Sequence, residues 1–316
     1  MKINYKKYPQ EVFYMRLVTR ADFDGLACGT ILLELGMIDS WKFVHPKDLQ
    51  DGKVAVNEND VLTNVPYVPG CGMWFDHHAS EIERVGEVAV EGARYVAPSC
   101  ARILFDYFEG ESRFSHMEEM IRAVDKVDSA QLSVEDIISP KSWVLLGFIM
   151  DPRTGLGRNK TFSIGNWELM EQLMEGCRDY TIDELLMLPD VAERVQYYNQ
   201  QTSDFREMIL KYSRTEGDVI VTDLRGVRLI HTGNRFLPYS LYPEQNISIW
   251  IVDGFDVTIT SIAVGHSVIN RTSKVDVGTL MAKHGGGGHK QVGTCQVPND
   301  EADTIIEEII QFINSH

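Results

Sequence analysis

No run of apolar residues in this chain of 316 reaches the roughly 18–20 needed to cross a bilayer. The opening Met1-Lys2-Ile3-Asn4-Tyr5 also lacks the apolar centre of a secretory signal. Together these absences lead us to expect a cytoplasmic protein with no membrane partner. Cysteine is scarce and dispersed: Cys28, Cys71, Cys100, Cys177 and Cys295 form no C-x-x-C pair. A zinc knuckle and a disulfide framework are not indicated, and reduced thiols are expected. Positive charge is short too. Lys and Arg number 30 against 46 Asp and Glu, a formal charge of −16. That balance argues against an electrostatic grip on long double-stranded nucleic acid. A small anion held by local cations or a metal fits it better. There is no internal repeat and no low-complexity tract.

What is present describes a folded α/β protein. Apolar residues make up 44% and charged residues 24%, a globular composition, and the length suits two domains. Residues 13–19 read as a strand, broken by Asp22-Phe23-Asp24-Gly25 and followed by an apolar helix over 26–35. Short strands follow at 41–44, at 61–65 before Pro66, and at 72–75. Helical signals cover 99–108, 117–127, 141–150 and 167–176. Alternating strands and helices predict a doubly wound, mostly parallel sheet. Residues 189–212, opened by Pro189, have helical periodicity and read as a helical linker. Beyond it, β-type segments at 218–222, 227–231, 247–252 and 257–264, turns at 224–226 and 253–255, and a closing helix over 301–314 predict a smaller α/β domain. The expected division is 1–188, a linker over 189–215, and 216–316.

Three stretches carry chemistry. The first is Met73-Trp74-Phe75-Asp76-His77-His78, a carboxylate and two imidazoles at a strand's C-terminal end, where open α/β sheets place their sites. Imidazole binds divalent metals as a neutral ligand, and a neighbouring carboxylate can ligate or fix the tautomer. A polar turn with hydrogen-bonded histidines is the plain alternative. The second is Asp22-x-Asp24, whose side chains can converge on one cation or merely cap the helix. Asp125 and Asp128 close a helix whose dipole disfavours negative charge there, a cost that a cation would relieve and that a solvated end beside Lys126 would also moderate. The third runs from Asn270-Arg271-Thr272-Ser273 through a helix at 275–283 to His284-Gly285-Gly286-Gly287-Gly288-His289. Successive bare amides suit phosphate or carboxylate, and Arg271 favours planar bidentate contact with such anions.

With these stretches in order, the chain resembles the DHH phosphoesterases that carry a DHH-associated C-terminal domain. That family includes RecJ-type exonucleases, short-oligonucleotide phosphatases, cyclic-dinucleotide phosphodiesterases and exopolyphosphatases. The resemblance implies a metal-binding catalytic domain and a substrate-binding domain whose glycine-rich loop closes over the substrate's phosphate or terminal nucleotide. It implies Mn2+ or Mg2+, one or two ions, on Asp22, Asp24, His77 and Asp128, with Asp125 the second choice for the last. Asp76, His77 and His78 match catalytic positions, Asp76 behind or beside His77 and His78 on the scissile phosphate. Arg271, Ser273, Gly286, Gly287, Gly288 and His289 match substrate-holding ones.

Two positions depart from the family pattern. A neutral Asn64 stands where a metal-bridging Asp is usual, and Thr19 and Arg20 replace an imidazole or carboxylate donor. Both weaken one ion site, and Arg20 can substitute its fixed charge for that metal. The expected function is hydrolysis of a small phosphorylated substrate: a short oligonucleotide, a nucleotide or polyphosphate. The alternative is a degenerate member that binds a nucleotide or phosphate with little turnover. Neither a basic channel for polyphosphate nor an aromatic platform for bases is evident in the sequence, and a homodimer is compatible with it.

Overall fold

The computed structural model describes residues 14–254 and 256–316. Residue 13, expected in the first strand, and Phe255, expected in a turn, lie outside them. The described residues up to Ser129 form a compact unit with Ser163–Leu188, and Ala130–Phe162 form a second with Pro189–His316. The segment 130–162, expected in the first domain, therefore packs with the second unit. Helix Pro189–Tyr212 is not a free linker either. Its Phe205, Met208 and Ile209 bury against Leu224 and Leu237, because that face of the helix carries apolar residues at positions three and four apart.

In the first unit, β1 (Met15–Thr19), β2 (Ile38–Phe43), β3 (Asp60–Thr63) and β4 (Met73–Phe75) form a sheet in the order β2-β1-β3-β4, every pair parallel. Parallel strands need crossovers that cover both faces, and the strands are apolar on both. On one face Val18, Leu62 and Trp74 pack with Val44, Leu49 and Val65. On the other, helix Phe23–Glu34 packs against Cys100–Tyr107, Glu118–Asp128 and Asn166–Asp179. Ten consecutive residues of that first helix, Phe23 to Leu32, are buried. The chain leaves β1 toward β2, then returns past it to β3. A crevice therefore opens at the C-terminal ends of β1 and β3, where such sheets bind ligands.

The second unit is built on a six-stranded sheet. Strands β5 (Ser213–Glu216), β6 (Val219–Asp223), β7 (Ile247–Asp253), β8 (Ile259–His266), β9 (Gly287–His289) and β10 (Val292–Pro298) lie in the order β5-β6-β7-β8-β10-β9. Only β6 and β7 pair in parallel. Helices Val277–Ala282 and Asn299–Asn314 cover it through Leu280, Met281, Ile306 and Ile309, packed on Ile249, Ile262 and Val264. Residues 227–231, expected as a strand, form turns and irregular backbone. Their β-branched and apolar side chains pack partly against the helix at Phe205–Tyr212 instead of joining a ladder, Val227 and Ile230 among them.

Leu62 is fully buried at the centre of the first sheet, so Leu62→Ala should destabilise the protein by about 2–5 kcal/mol. Chemical denaturation that shows less than about 1 kcal/mol would contradict this packing.

Candidate active site

The polar residues of the first unit gather at that crevice because each follows a strand. Asp22 caps helix Phe23–Glu34 directly after β1, accepting from the Gly25 amide at 3.0 Å. Asp24, in the helix's first turn, is 1% exposed. Its two oxygens accept from the Cys100 amide at 3.0 Å and the Ala101 amide at 2.7 Å, the first turn of helix Cys100–Tyr107. A helix N-terminus presents unpaired N–H groups and a positive dipole end, which is how a carboxylate is tolerated at that depth.

After β4, Asp76 is fully buried. One oxygen accepts from the His77 backbone amide at 2.9 Å and lies 2.8 Å from His78 Nδ1. The carboxylate thus supports His78 and the turn, not the His77 ring as expected. The His77 ring is held by the Ala97 carbonyl, 3.2 Å from Nδ1. A carbonyl can only accept, so Nδ1 carries the proton and Nε2 presents its lone pair. That Nε2 is buried without a hydrogen-bond partner. It faces two carboxylate oxygens, Asp24 Oδ2 at 3.7 Å and Asp128 Oδ2 at 3.3 Å.

Asp128 ends helix Glu118–Asp128, and 29% of its side chain stays accessible, the open edge of the cluster. Asp125, one turn earlier, is occupied elsewhere: Ser99 donates to it at 2.7 Å and Arg102 pairs with it at 2.8 Å. Of the two aspartates, the fold brings Asp128 to His77.

The electrostatics are those of a cluster short of positive charge. Burial pushes Asp24 up to about 6, opposed by His77 and reinforced by Asp22. Burial, then the Asp24 charge, pushes Asp128 up to about 7. His77 is lowered by burial but raised more by Asp24 and Asp128, ending above its usual value. The nearby thiols are not donors: burial pushes Cys28 up to about 11 and raises Cys100 further. One donor atom each from Asp24, His77 and Asp128 lies within 4.8 Å of the others. An imidazole lone pair and two hard oxygens in that space fit a divalent cation.

Beside this triad, Asp22 is already satisfied. Besides the Gly25 amide, Asn64 Nδ2 donates to it at 3.1 Å and Arg20 Nε stands 3.1 Å from its other oxygen. Asn64, 1% exposed, takes a positive φ of 54°, a conformation Asn tolerates better than most residues. Thr19 is buried and hydrogen-bonded to β3 through the Thr63 carbonyl. Arg20 turns toward Asp22, so the place expected for a further cation holds a guanidinium.

In the second unit, Arg271 donates to the carbonyls of Val268 at 3.0 Å and Ala130 at 2.6 Å. Ser273 accepts weakly from the Val275 amide. The glycine run is not an open loop. Gly287–His289 is the edge strand β9, paired antiparallel with β10 and packed beside helix Val277–Ala282. A Cβ on Gly286 would lie 2.0 Å from the Thr294 carbonyl oxygen, and one on Gly288 2.2 Å from that of Val292. Close packing alone therefore demands glycine at these two positions, whereas Gly287 has open space around it. The residues missed from sequence are backbone groups: the Ala97 carbonyl and the Cys100 and Ala101 amides. Ser99, a helix-capping residue, was the only signal for them.

No family model matches the chain, and no curated protein sequence matches it. A solved structure does. The pGpG-specific phosphodiesterase PggH of Vibrio cholerae is 42% identical, over 95% of this chain and 99% of that one, with a TM-score of 0.83. The chain belongs to the DHH phosphoesterase family. It is accordingly a phosphoric ester hydrolase. Remoter alignments include the manganese-bound exonuclease RecJ, 12% identical over 94% of this chain and 90% of that one at TM-score 0.49. RecJ of Thermus thermophilus with Mn2+ is 12% identical over 95% of this chain and 52% of that one, at 0.48. Among the described residues, no helix is long and apolar enough to cross a membrane.

Because the folded carboxyls titrate above the unfolded value of about 3.9, the metal-free protein loses stability as pH rises through that window toward about 7. A cation binds the deprotonated set and offsets the loss. The melting-temperature gap between Mn2+-treated and chelator-treated protein should therefore widen from about pH 5 to pH 7.5. A gap that stays flat over that range would count against a cation on this triad.

Proposed function

We propose that the protein is a metal-dependent phosphodiesterase cleaving a short 5′-phosphorylated oligonucleotide of the pGpG type. The observation that carries the reading is the buried, unpartnered His77 Nε2 aimed at Asp24 and Asp128. Whole-chain similarity to a pGpG-specific enzyme supports the substrate class.

Asp24, His77 and Asp128 would hold the ion. Manganese is the preferred occupant and magnesium the second, given hard oxygens plus one imidazole. Such an ion supplies Lewis-acid stabilisation of phosphoryl oxygens and a lowered pKa for bound water. The remaining work belongs to side chains. The Ala97 carbonyl keeps His77 in the tautomer that can ligate. Asp76 fixes His78 through Nδ1, and His78 meets a phosphate oxygen and stabilises charge there. Arg271, Ser273 and Gly286 to His289 serve as substrate-holding groups, supplying position more than bond breaking.

One ion per chain follows from the partners of Asp22. With Gly25, Asn64 and Arg20 already on its carboxylate, Arg20 supplies the positive charge of a second ion. The rival reading, a binding module with little turnover, also draws on Asn64 and Arg20. The intact triad beside them favours hydrolysis.

Turnover of pGpG with Mn2+ should fall by on the order of a hundredfold or more in His77→Ala and Asp128→Asn. Asp125→Asn should lower thermal stability and leave Mn2+ binding in place. Retained nucleotide binding with no hydrolysis by the wild type would favour the binding module. Separately, equilibrium Mn2+ titration followed by electron paramagnetic resonance should count one uncoupled ion per chain. Two coupled ions in the wild type would remove the role given to Arg20.

A further inference from the structure

Resting on the reading above, we infer that Tyr95 is the stacking platform for a guanine base of the substrate. Its support is the way residues 91–98 are held. They run extended beside β4, where the Trp74 amide donates to the Glu91 carbonyl at 2.9 Å and the Asp76 amide to that of Ala93 at 3.3 Å. Gly92 permits the approach: its φ is +120°, and a Cβ there would lie 2.1 Å from the Trp74 carbonyl oxygen. Arg94 anchors the next residue, its guanidinium 5.5 Å from the Trp74 ring centroid and donating to the Val90 carbonyl at 3.0 Å. Three residues on, the Ala97 carbonyl holds the His77 ring.

Between these anchors the chain exposes two large apolar side chains in succession, Tyr95 at 44% and Val96 at 73%. Scattered surface apolars need no explanation, but these sit on the same short span that positions His77. Two extended residues cover about 7 Å, so the Tyr95 ring stands within a side chain's reach of the groups around His77. The ring is not free to swing. Its hydroxyl end lies close enough to Asp106 and Arg102 to feel both charges, and partial burial adds to their effect. One edge is thus held and the rest is open.

The occupant is a base. A patch of two residues is far below the roughly 20–30 a side of a protein interface. In a chain of net charge −16, an anionic dinucleotide gains little from the global field. Aromatic stacking supplies affinity that does not depend on charge, and by alanine substitution it is worth about 1–3 kcal/mol per base.

The test compares pGpG with an abasic dinucleotide carrying the same phosphates. Tyr95→Ala should raise KM for pGpG by about 5- to 100-fold, with kcat little changed, and the preference for pGpG over the abasic compound should shrink by the same factor. Tyr95→Phe and Tyr95→Trp should restore it. The inference is overturned if Tyr95→Ala leaves KM unchanged, if both substrates lose equally, or if Tyr95→Phe is as impaired as Tyr95→Ala. If the wild type hydrolyses neither compound, the proposed function fails. Calorimetric binding of pGpG then decides the question for Tyr95 alone: weaker binding by Tyr95→Ala upholds stacking, and unchanged binding refutes it.

Discussion

A carboxylate sunk at the end of an apolar sheet is the constraint on which the active-site unit depends. Asp24 has almost no contact with solvent, and an isolated ion there would be strongly disfavoured. Two backbone amides from one helix N-terminus and the facing His77 make the position tenable. They also fix where helix Cys100–Tyr107 begins and which way the imidazole must face. The remaining imbalance, two carboxylates on one imidazole, is what a divalent cation would neutralise.

The surrounding polar groups divide by what they are bound to. Asp76 and Asp125 are spent on neighbours: the first on the turn and His78, the second on Ser99 and Arg102. Asp22 is shared among Gly25, Asn64 and Arg20. Asp24, His77 and Asp128 direct donor atoms at one another. A short acidic sequence thus separates into capping, buttressing and ligating roles by geometry alone, with chemically identical side chains in each.

Much of the fold was legible because strand and helix signals were strong and short-range. The strands at 41–44, 61–65 and 72–75 were misjudged by a few residues at their ends, where fraying and capping decide, but their order and sense were right. Residues 227–231 were misread because β-branched side chains also suit an irregular segment packed on a helix. The membership of 130–162 was misjudged for a different cause: contacts such as Asn234 to the Ile137 carbonyl and Arg271 to that of Ala130 join residues about a hundred or more apart. The glycine run was recognised as significant, but its reason differs at Gly286 and Gly288, where the neighbouring strand leaves no room for a side chain.

By itself the sequence determined the parallel α/β character of the first unit, the grouping of Asp, His and Gly into motifs, and the family those motifs resemble. These depend on periodicity and local turn chemistry, which act over a few residues. Tertiary structure alone decided that Asp128 and not Asp125 meets His77, that Arg20 turns onto Asp22, and that the Ala97 carbonyl and the Cys100 and Ala101 amides hold the site. Those choices depend on backbone groups, which every residue carries, and on side-chain directions set by helices distant in sequence. Residue identity encodes neither until the chain has packed.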